Sequence, residues 1–214
     1  MNPYHKIYNV FKKDKKTEKL IKGDWVCPEF DYLSTNTWVF TEKIDGTNIR
    51  VIFNFKDGTI YIKGKTDNAN IPLPLMTAVY DKFYGHINKM LKLFANKTVC
   101  FYGVGYGQNI QSGSKYIKDG VDFILFDVKI DNFWLKRDNM VTLADELGIN
   151  CVPIVGKGNL FDAINIVEIG LKSNFGDFLA EGIVAKPEIE LTDRSGKRII
   201  TKIKTVYFNK SLIK

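Results

Sequence analysis

The pattern of residues in this chain predicts an α+β fold, with antiparallel β-sheets flanked by helices. Residues Ile49-Arg50-Val51-Ile52-Phe53-Asn54-Phe55 are rich in β-branched and aromatic types. They turn at Asp57-Gly58 and return through Thr59-Ile60-Tyr61-Ile62-Lys63, the signature of a β-hairpin. Downstream, apolar residues switch to helical spacing, and short strand-like runs then alternate with two more helical stretches. No Gly-x-Gly-x-x-Gly lies between a strand and a helix, and no P-loop is present, so a nucleotide would have to bind by another route.

The charged run Lys12-Lys13-Asp14-Lys15-Lys16 reads as a mobile or helical surface segment. Residues 1–37 are expected to form an N-terminal extension packed on a domain of residues 38–214. Strands begin at Trp38 and include the hairpin. After the helix-blocking Pro72 and Pro74, one helix is predicted. Met76, Val79, Tyr80, Phe83, Ile87, Met90, Leu91 and Phe94 fall on its core-facing side, and His86 lies at its edge in a structural place. Strands follow over 98–102 and 121–130. A helix over 139–147 stops at Gly148. A strand over 151–155, a helix over 160–171 and strands over 182–186 and 198–204 complete the reading.

Composition narrows the function. With 214 residues and 45% hydrophobic content, the chain can bury a core as one globular domain, with or without a small appendage. No apolar run is long enough to span a bilayer, and Met1-Asn2-Pro3-Tyr4-His5-Lys6 lacks the apolar region of a secretory signal. The expectation is a cytoplasmic protein with no membrane partner. Cys27, Cys100 and Cys151 are scattered, which suits reduced thiols rather than a disulfide framework or a paired metal site. His5 and His86 are the only histidines, which argues against a His-based zinc site or a Ser-His triad. The formal net charge of +7 fits a polyanionic partner such as nucleic acid, and equally a lysine-rich solvated surface.

Five segments carry polar residues in strand-like surroundings: Lys43-Ile44-Asp45-Gly46-Thr47-Asn48, Phe101-Tyr102-Gly103-Val104-Gly105-Tyr106-Gly107, Phe123-Ile124-Leu125-Phe126-Asp127-Val128, Glu181-Gly182-Ile183-Val184-Ala185-Lys186 and Ile200-Thr201-Lys202-Ile203-Lys204. Each has a plain reading alone. Lys43 suits a surface turn, Phe126 the core, Asp127 a cap, Glu181 a charge before a turn glycine, and Lys202 and Lys204 a solvent-facing strand edge. Jointly they offer a nucleophile, hard oxygen ligands and phosphate-neutralising cations. A lysine amine with its ordinary pKa near 10.4 is protonated at neutral pH, and positive charge nearby favours the neutral, nucleophilic form. Lys202 and Lys204, two apart on a strand, project from one face.

In this order and at these distances, the segments resemble the covalent nucleotidyltransferase superfamily of ATP-dependent RNA and DNA ligases and mRNA capping enzymes, and within it the RNA ligases. The resemblance runs from about residue 38 to 205. It implies a nucleotidyltransferase domain (an ATP-grasp-like ligase adenylation domain) of antiparallel sheets with flanking helices. No C-terminal OB-fold is expected. It implies that Lys43 attacks the α-phosphate of ATP to give lysyl-AMP, that Glu42 helps hold the adenine, and that Asp45 is the acidic residue of the same motif. Asn48 would reach phosphate or ribose, and Phe126 would stack on the base. Glu181 and Asp127 would bind Mg²⁺ or Mn²⁺. Lys186 would line the nucleotide site, and Lys202 and Lys204 would contact the α-phosphate and help expel pyrophosphate. Arg50 reads as a further phosphate contact or a surface charge.

Two positions depart from the family pattern. Val104 stands where a glutamate is usual, and Lys65 where arginine is common; a lysine cannot make arginine's bidentate phosphate contact. The implied function is an ATP-dependent RNA ligase of RNA repair, impaired by Val104. Its partner is RNA, with a nicked duplex or an RNA/DNA hybrid as options, and the protein is expected to be a monomer. The competing readings are a GTP-dependent capping-type guanylyltransferase and a non-catalytic nucleic-acid-binding relative.

Overall fold

The structure is a computed structural model and describes residues 3–17 and 19–208. In chain order the elements are β1 (Tyr8–Asn9), β2 (Phe11–Lys13), β3 (Leu20–Trp25), α1 (Pro28–Tyr32), β4 (Trp38–Glu42), β5 (Thr47–Asn54), β6 (Thr59–Lys63), α2 (Leu73–Tyr84) and α3 (Ile87–Leu93). Then come β7 (Thr98–Gly107), β8 (Val121–Ile130), β9 (Phe133–Trp134), α4 (Arg137–Glu146), β10 (Ile154–Gly158), α5 (Leu160–Ile169), β11 (Gly182–Pro187) and β12 (Thr201–Lys204). The described residues divide into two compact units, one holding Asp45–Val152 with residues 3–4, the other residues 5–44 and 153–208.

The unit containing Asp45–Val152 is built on a five-stranded antiparallel sheet in the order β6-β5-β7-β8-β9. Ile49, Val51 and Phe53 alternate along β5. They join Val99, Phe101, Phe123, Leu125 and Val128 in one core beneath Leu75, Val79, Phe83 and Met90. The single helix expected from Met76 to Phe94 is two helices, α2 and α3, parted at Gly85-His86. Glycine weakens a helix by about 1 kcal/mol relative to alanine. The break lets Met90 and Phe94 rejoin the core while Met76 and Tyr80 stay exposed. Pro74 opens α2 rather than blocking it, since the first turn needs no intrahelical donor there.

The other unit holds a five-stranded sheet in the order β1-β12-β11-β4-β10. Its pairs are antiparallel except β1 with β12, which is parallel. Trp38, Phe40, Ile183, Ala185 and Ile203 join α5 residues Leu160, Ala163 and Val167 in a second core. The α5 start was legible: Asn159 and Asp162 complete a capping box, with Asn159 Oδ1 accepting from Phe161 and Asp162 backbone N–H. The strand expected over 151–155 begins later, at Ile154, and Cys151 only bridges to Leu125. The last strand starts at Thr201 rather than 198.

The Lys12–Lys16 run is not helical: it forms one arm and the turn of a β2–β3 hairpin. Phe11 is buried and packs against Trp25. Asp14 closes the turn by accepting from the backbone N–H groups of Lys16 and Thr17 and from the Thr17 hydroxyl. One buried aromatic and one aspartate turn outweigh the charge pattern.

Candidate active site

On β4, β11 and β12, alternation divides the side chains cleanly. Thr201 and Ile203 are buried, so Lys202 and Lys204 project from the other face, as their spacing requires. Across the ladder Lys204 pairs with Gly182 and Lys202 with Val184, while Lys186 opposes Val39. Lys186, Lys202 and Lys204 therefore share the face turned away from the core.

Lys43 follows β4 directly, and its N–H donates to the Gly182 carbonyl at 2.9 Å. Its ammonium donates to Glu181 Oε2 at 2.5 Å, and Lys204 Nζ lies 2.6 Å from Glu181 Oε1. One carboxylate thus bridges the predicted nucleophile and one member of the predicted lysine pair, with all three side chains about one-fifth exposed (23%, 17% and 26%). Sequence reasoning surrounded Lys43 with cations; in the structure its nearest charge is Glu181.

Glu42 is the last residue of β4. It falls in phase with Trp38 and Phe40 and is 1% exposed, on the core side of β4. Its Oε1 accepts from the Ser173 hydroxyl at 2.5 Å, and its Oε2 from the Asn174 backbone N–H and side-chain amide at 2.9 and 3.0 Å. Sequence reasoning missed Ser173 and Asn174; a Ser-Asn pair in a loop carries no signal until its acceptor is known. Glu42→Ala strands the buried Ser173 hydroxyl and removes the acceptor of the exposed Asn174 donors, and should destabilise the protein by about 2 kcal/mol, read from urea unfolding, since hydrogen bonds to charged groups contribute about 1.5–3 kcal/mol each. Glu42→Gln should fall between wild type and alanine.

In the Asp45–Val152 unit, Asn48 opposes Val104 and Arg50 opposes Tyr102 across β5 and β7, all on the face away from the helices. Asp45 begins the turn into β5, and its N–H donates to the Tyr116 hydroxyl at 3.1 Å. Val104 packs against the turn: a Cβ on Gly46 would meet Val104 Cγ1 at 2.7 Å, so glycine is required there. Arg50 is buried rather than on the surface. Its Nε donates to the Gly64 carbonyl at 3.0 Å and its Nη2 to Asp67 Oδ1 at 2.8 Å. It clips down the 64–69 loop on which Lys65 stands exposed.

Phe126 and Asp127 are adjacent in a strand yet face the same way. Tyr102 pairs with Asp127 but Gly103 pairs with Leu125, so β8 carries one extra residue, Phe126. Such a bulge sets two consecutive side chains opposite one partner, and here it turns both away from the core that holds Leu125 and Val128. Asp127 is 2% exposed. Its Oδ2 accepts from the Tyr4 hydroxyl at 2.7 Å, and the Tyr4 ring stands edge-on to Phe126, Tyr102 and Trp134. Burial pushes the Tyr102 phenol well above its usual pKa, and the Tyr106 phenol up to about 12. Both hydroxyls therefore stay protonated at neutral pH. Tyr4 and Trp134 lie outside the five segments that carry the resemblance.

The chain matches the family model described as RNA ligase over residues 36–204. It belongs to the RNA ligase family. No curated protein matches the chain. Among solved structures it is similar to Naegleria gruberi RNA ligase with PPi, at 20% identity and a TM-score of 0.65, covering 87% of this chain and 55% of that one. A lysine-to-alanine mutant of that ligase with ATP and Mn is similar at 20% identity and a TM-score of 0.65, covering 98% of this chain and 63% of that one. A glutamate-to-alanine mutant with ATP and Mn gives 22%, 0.62, 86% and 54%. At this identity the likeness is one of fold, and the chain spans little more than half the length of the first of these ligase chains.

Among the described residues, no three His, Cys, Asp or Glu side chains cluster to hold a metal ion unaided. Glu181 is a hard oxygen donor of the type that Mg²⁺ or Mn²⁺ takes, and such ions commonly complete their shell with water and substrate phosphates. Glu181 therefore fits a divalent ion as a single protein ligand. Both its oxygens are engaged by ammonium groups, and Asp127 is engaged by Tyr4. No helix among the described residues is long and apolar enough to cross a membrane.

Proposed function

We propose that this member of the RNA ligase family is an ATP-dependent ligase of RNA ends that works through lysyl-AMP at Lys43. The observation that carries this reading is the Lys43–Glu181–Lys204 bridge, in which an amine and a cation each lie within 2.6 Å of one carboxylate. Lys43 must shed a proton before it attacks, and Glu181 Oε2 is the acceptor within reach. The Lys43 nitrogen then bonds to the α-phosphorus of ATP as the bond to pyrophosphate breaks. Lys204 and Lys202 supply positive charge to the phosphate oxygens. AMP passes next to a 5′-phosphate on RNA, and attack by a 3′-hydroxyl joins the ends and releases AMP. A divalent ion held by Glu181 would add charge neutralisation at the phosphates. Phe126 serves as the base-stacking ring, and Asn48 and Lys186 as contacts to the nucleotide. Arg50 acts through the loop it clips, which carries Lys65. The substrates are RNA ends, a nicked duplex or an RNA/DNA hybrid among them, as in RNA repair. Residues 1–37 serve as an extension and 38–214 as the adenylation domain, acting as a cytoplasmic monomer.

The test is covalent labelling with α-³²P ATP or GTP, followed by denaturation. Label from ATP alone supports the ligase reading. Label from GTP alone indicates a capping-type guanylyltransferase. RNA binding without label from either indicates a non-catalytic relative.

Val104 bears on rate. A glutamate there would contribute a polar partner to the nucleotide or to metal-bound water, and a single such partner carries up to about two or three orders of magnitude in rate. Val104→Glu should raise label formation by about tenfold or more at saturating ATP. It should also lower the melting temperature by a few degrees, because Val104 is 8% exposed and the carboxylate would be partly desolvated. An unchanged labelling rate in folded Val104→Glu would remove Val104 from the account of activity.

A further inference from the structure

Tyr4 lies in a stretch of sequence with no strand or helix pattern, yet its side chain makes specific contacts with three rings and a carboxylate. Its ring centroid is 5.0 Å from Phe126, 5.2 Å from Tyr102 and 5.5 Å from Trp134, each edge-on. Its hydroxyl donates to Asp127 Oδ2 at 2.7 Å. The two side chains that the β8 bulge turns out of the core are thus held by one residue, Phe126 through its ring and Asp127 through its carboxylate. Tyr102 and Trp134, tilted together at 5.4 Å, complete the wall. A phenol can serve both neighbours because it has few rotatable bonds, a broad apolar body and a polar tip. A ring on an open sheet face can otherwise turn about its side-chain bonds, and edge-to-face neighbours on one side restrict it.

We propose that Tyr4 is a positioning residue for nucleotide binding. It sets the Phe126 ring for stacking on the base and takes up the Asp127 carboxylate, which serves as Tyr4's anchor. This rests on the reading of Phe126 as the base-stacking ring, and the nucleotide is ATP. Tyr4 itself does not touch the reacting atoms, so its loss weakens ATP binding and leaves the rate at saturating ATP within about threefold of wild type.

The experiment compares wild type, Tyr4→Phe and Tyr4→Ala. It measures the Kd for ATP by calorimetry, the KM and maximal rate of label formation, and thermal unfolding. Tyr4→Phe keeps the ring contacts and removes the hydroxyl; Tyr4→Ala removes both. We expect Tyr4→Ala to raise Kd and KM at least about tenfold, and Tyr4→Phe to raise them about threefold, from the loss of aromatic contacts and of one hydrogen bond to a charged acceptor. A merely structural role would reduce the folded fraction, which lowers the rate but leaves the KM of the folded protein unchanged. A Kd for Tyr4→Ala within twofold of wild type overturns the proposal. If Tyr4→Ala does not fold, Tyr4→Phe decides by the same criterion. Wild type that binds ATP but forms no label sinks the catalytic reading and leaves this one to the calorimetry. Wild type that binds no ATP overturns both.

Discussion

Lys43→Ala should abolish covalent labelling by ATP, a loss of at least about four orders of magnitude, because the proposed mechanism forms the bond to phosphorus at this amine. Lys204 shares Glu181 with Lys43 and is the nearest alternative amine, but the role proposed for it is charge. Lys43→Arg should fail equally. It keeps the positive charge, yet a guanidinium does not give up a proton under any condition in which the protein folds. The pair of variants separates nucleophile from cation: a label that survives in Lys43→Arg would place the nucleophile elsewhere. Peptide mapping of the labelled wild type should find AMP on Lys43. Stability should change little, since Lys43 is 23% exposed and Glu181 keeps Lys204 as a partner.

Gly182→Ala should be the most damaging single-methyl change next to the site. Gly182 has a positive φ of 148°, and a Cβ there would drive into the Ile203 carbonyl and lie 2.8 Å from Lys204 Cα. Both neighbours are backbone of the paired strand β12, which cannot step aside without breaking the ladder. Strain and overpacking together put the cost at about 3–5 kcal/mol, or a melting temperature lower by about 10 °C. The Gly182 carbonyl also accepts the Lys43 N–H, and Glu181 precedes it, so folded Gly182→Ala should label poorly as well. Gly196→Ala is the control. That residue too has a positive φ, 79°, but nothing lies within 4 Å of its Cβ position, and its cost should stay near ~1 kcal/mol. Equal losses in the two variants, seen by calorimetric melting, would show that crowding at Gly182 is not the cause.

Most of the framework was legible because its signals are local. The Asp57-Gly58 hairpin, the β8 strand and the start of α5 each depend on a few adjacent residues, and each is where the pattern puts it. The facing of Lys202 and Lys204 was legible from alternation alone. What stayed hidden depends on partners distant in the chain. Nothing near Glu42 announces that Ser173 and Asn174 will take up its oxygens, and nothing near Arg50 announces Gly64 and Asp67. Charge pattern misled where a buried ring overruled it, as Phe11 does beside the lysines of β2. Helical periodicity misled at Gly85, because the apolar stripe continues through a break that the backbone makes there.

The extra residue in β8 makes this strand sensitive to length rather than to composition. A strand obeys a parity rule: any side chain two places along returns to the same side. Phe126 breaks parity once, and the residues on either flank, Leu125 and Val128, are both buried because of it. Deleting Phe126 would restore strict alternation with Leu125, Asp127 and Val128 facing as they do now, and would leave Asp127 alone where two consecutive side chains had stood. Point changes at 126 alter one ring, whereas a change in the count of residues removes the outward pair that the bulge creates. In chains that share this fold, the spacing between the core positions flanking the Phe-Asp pair should therefore hold constant where the identities of the residues drift.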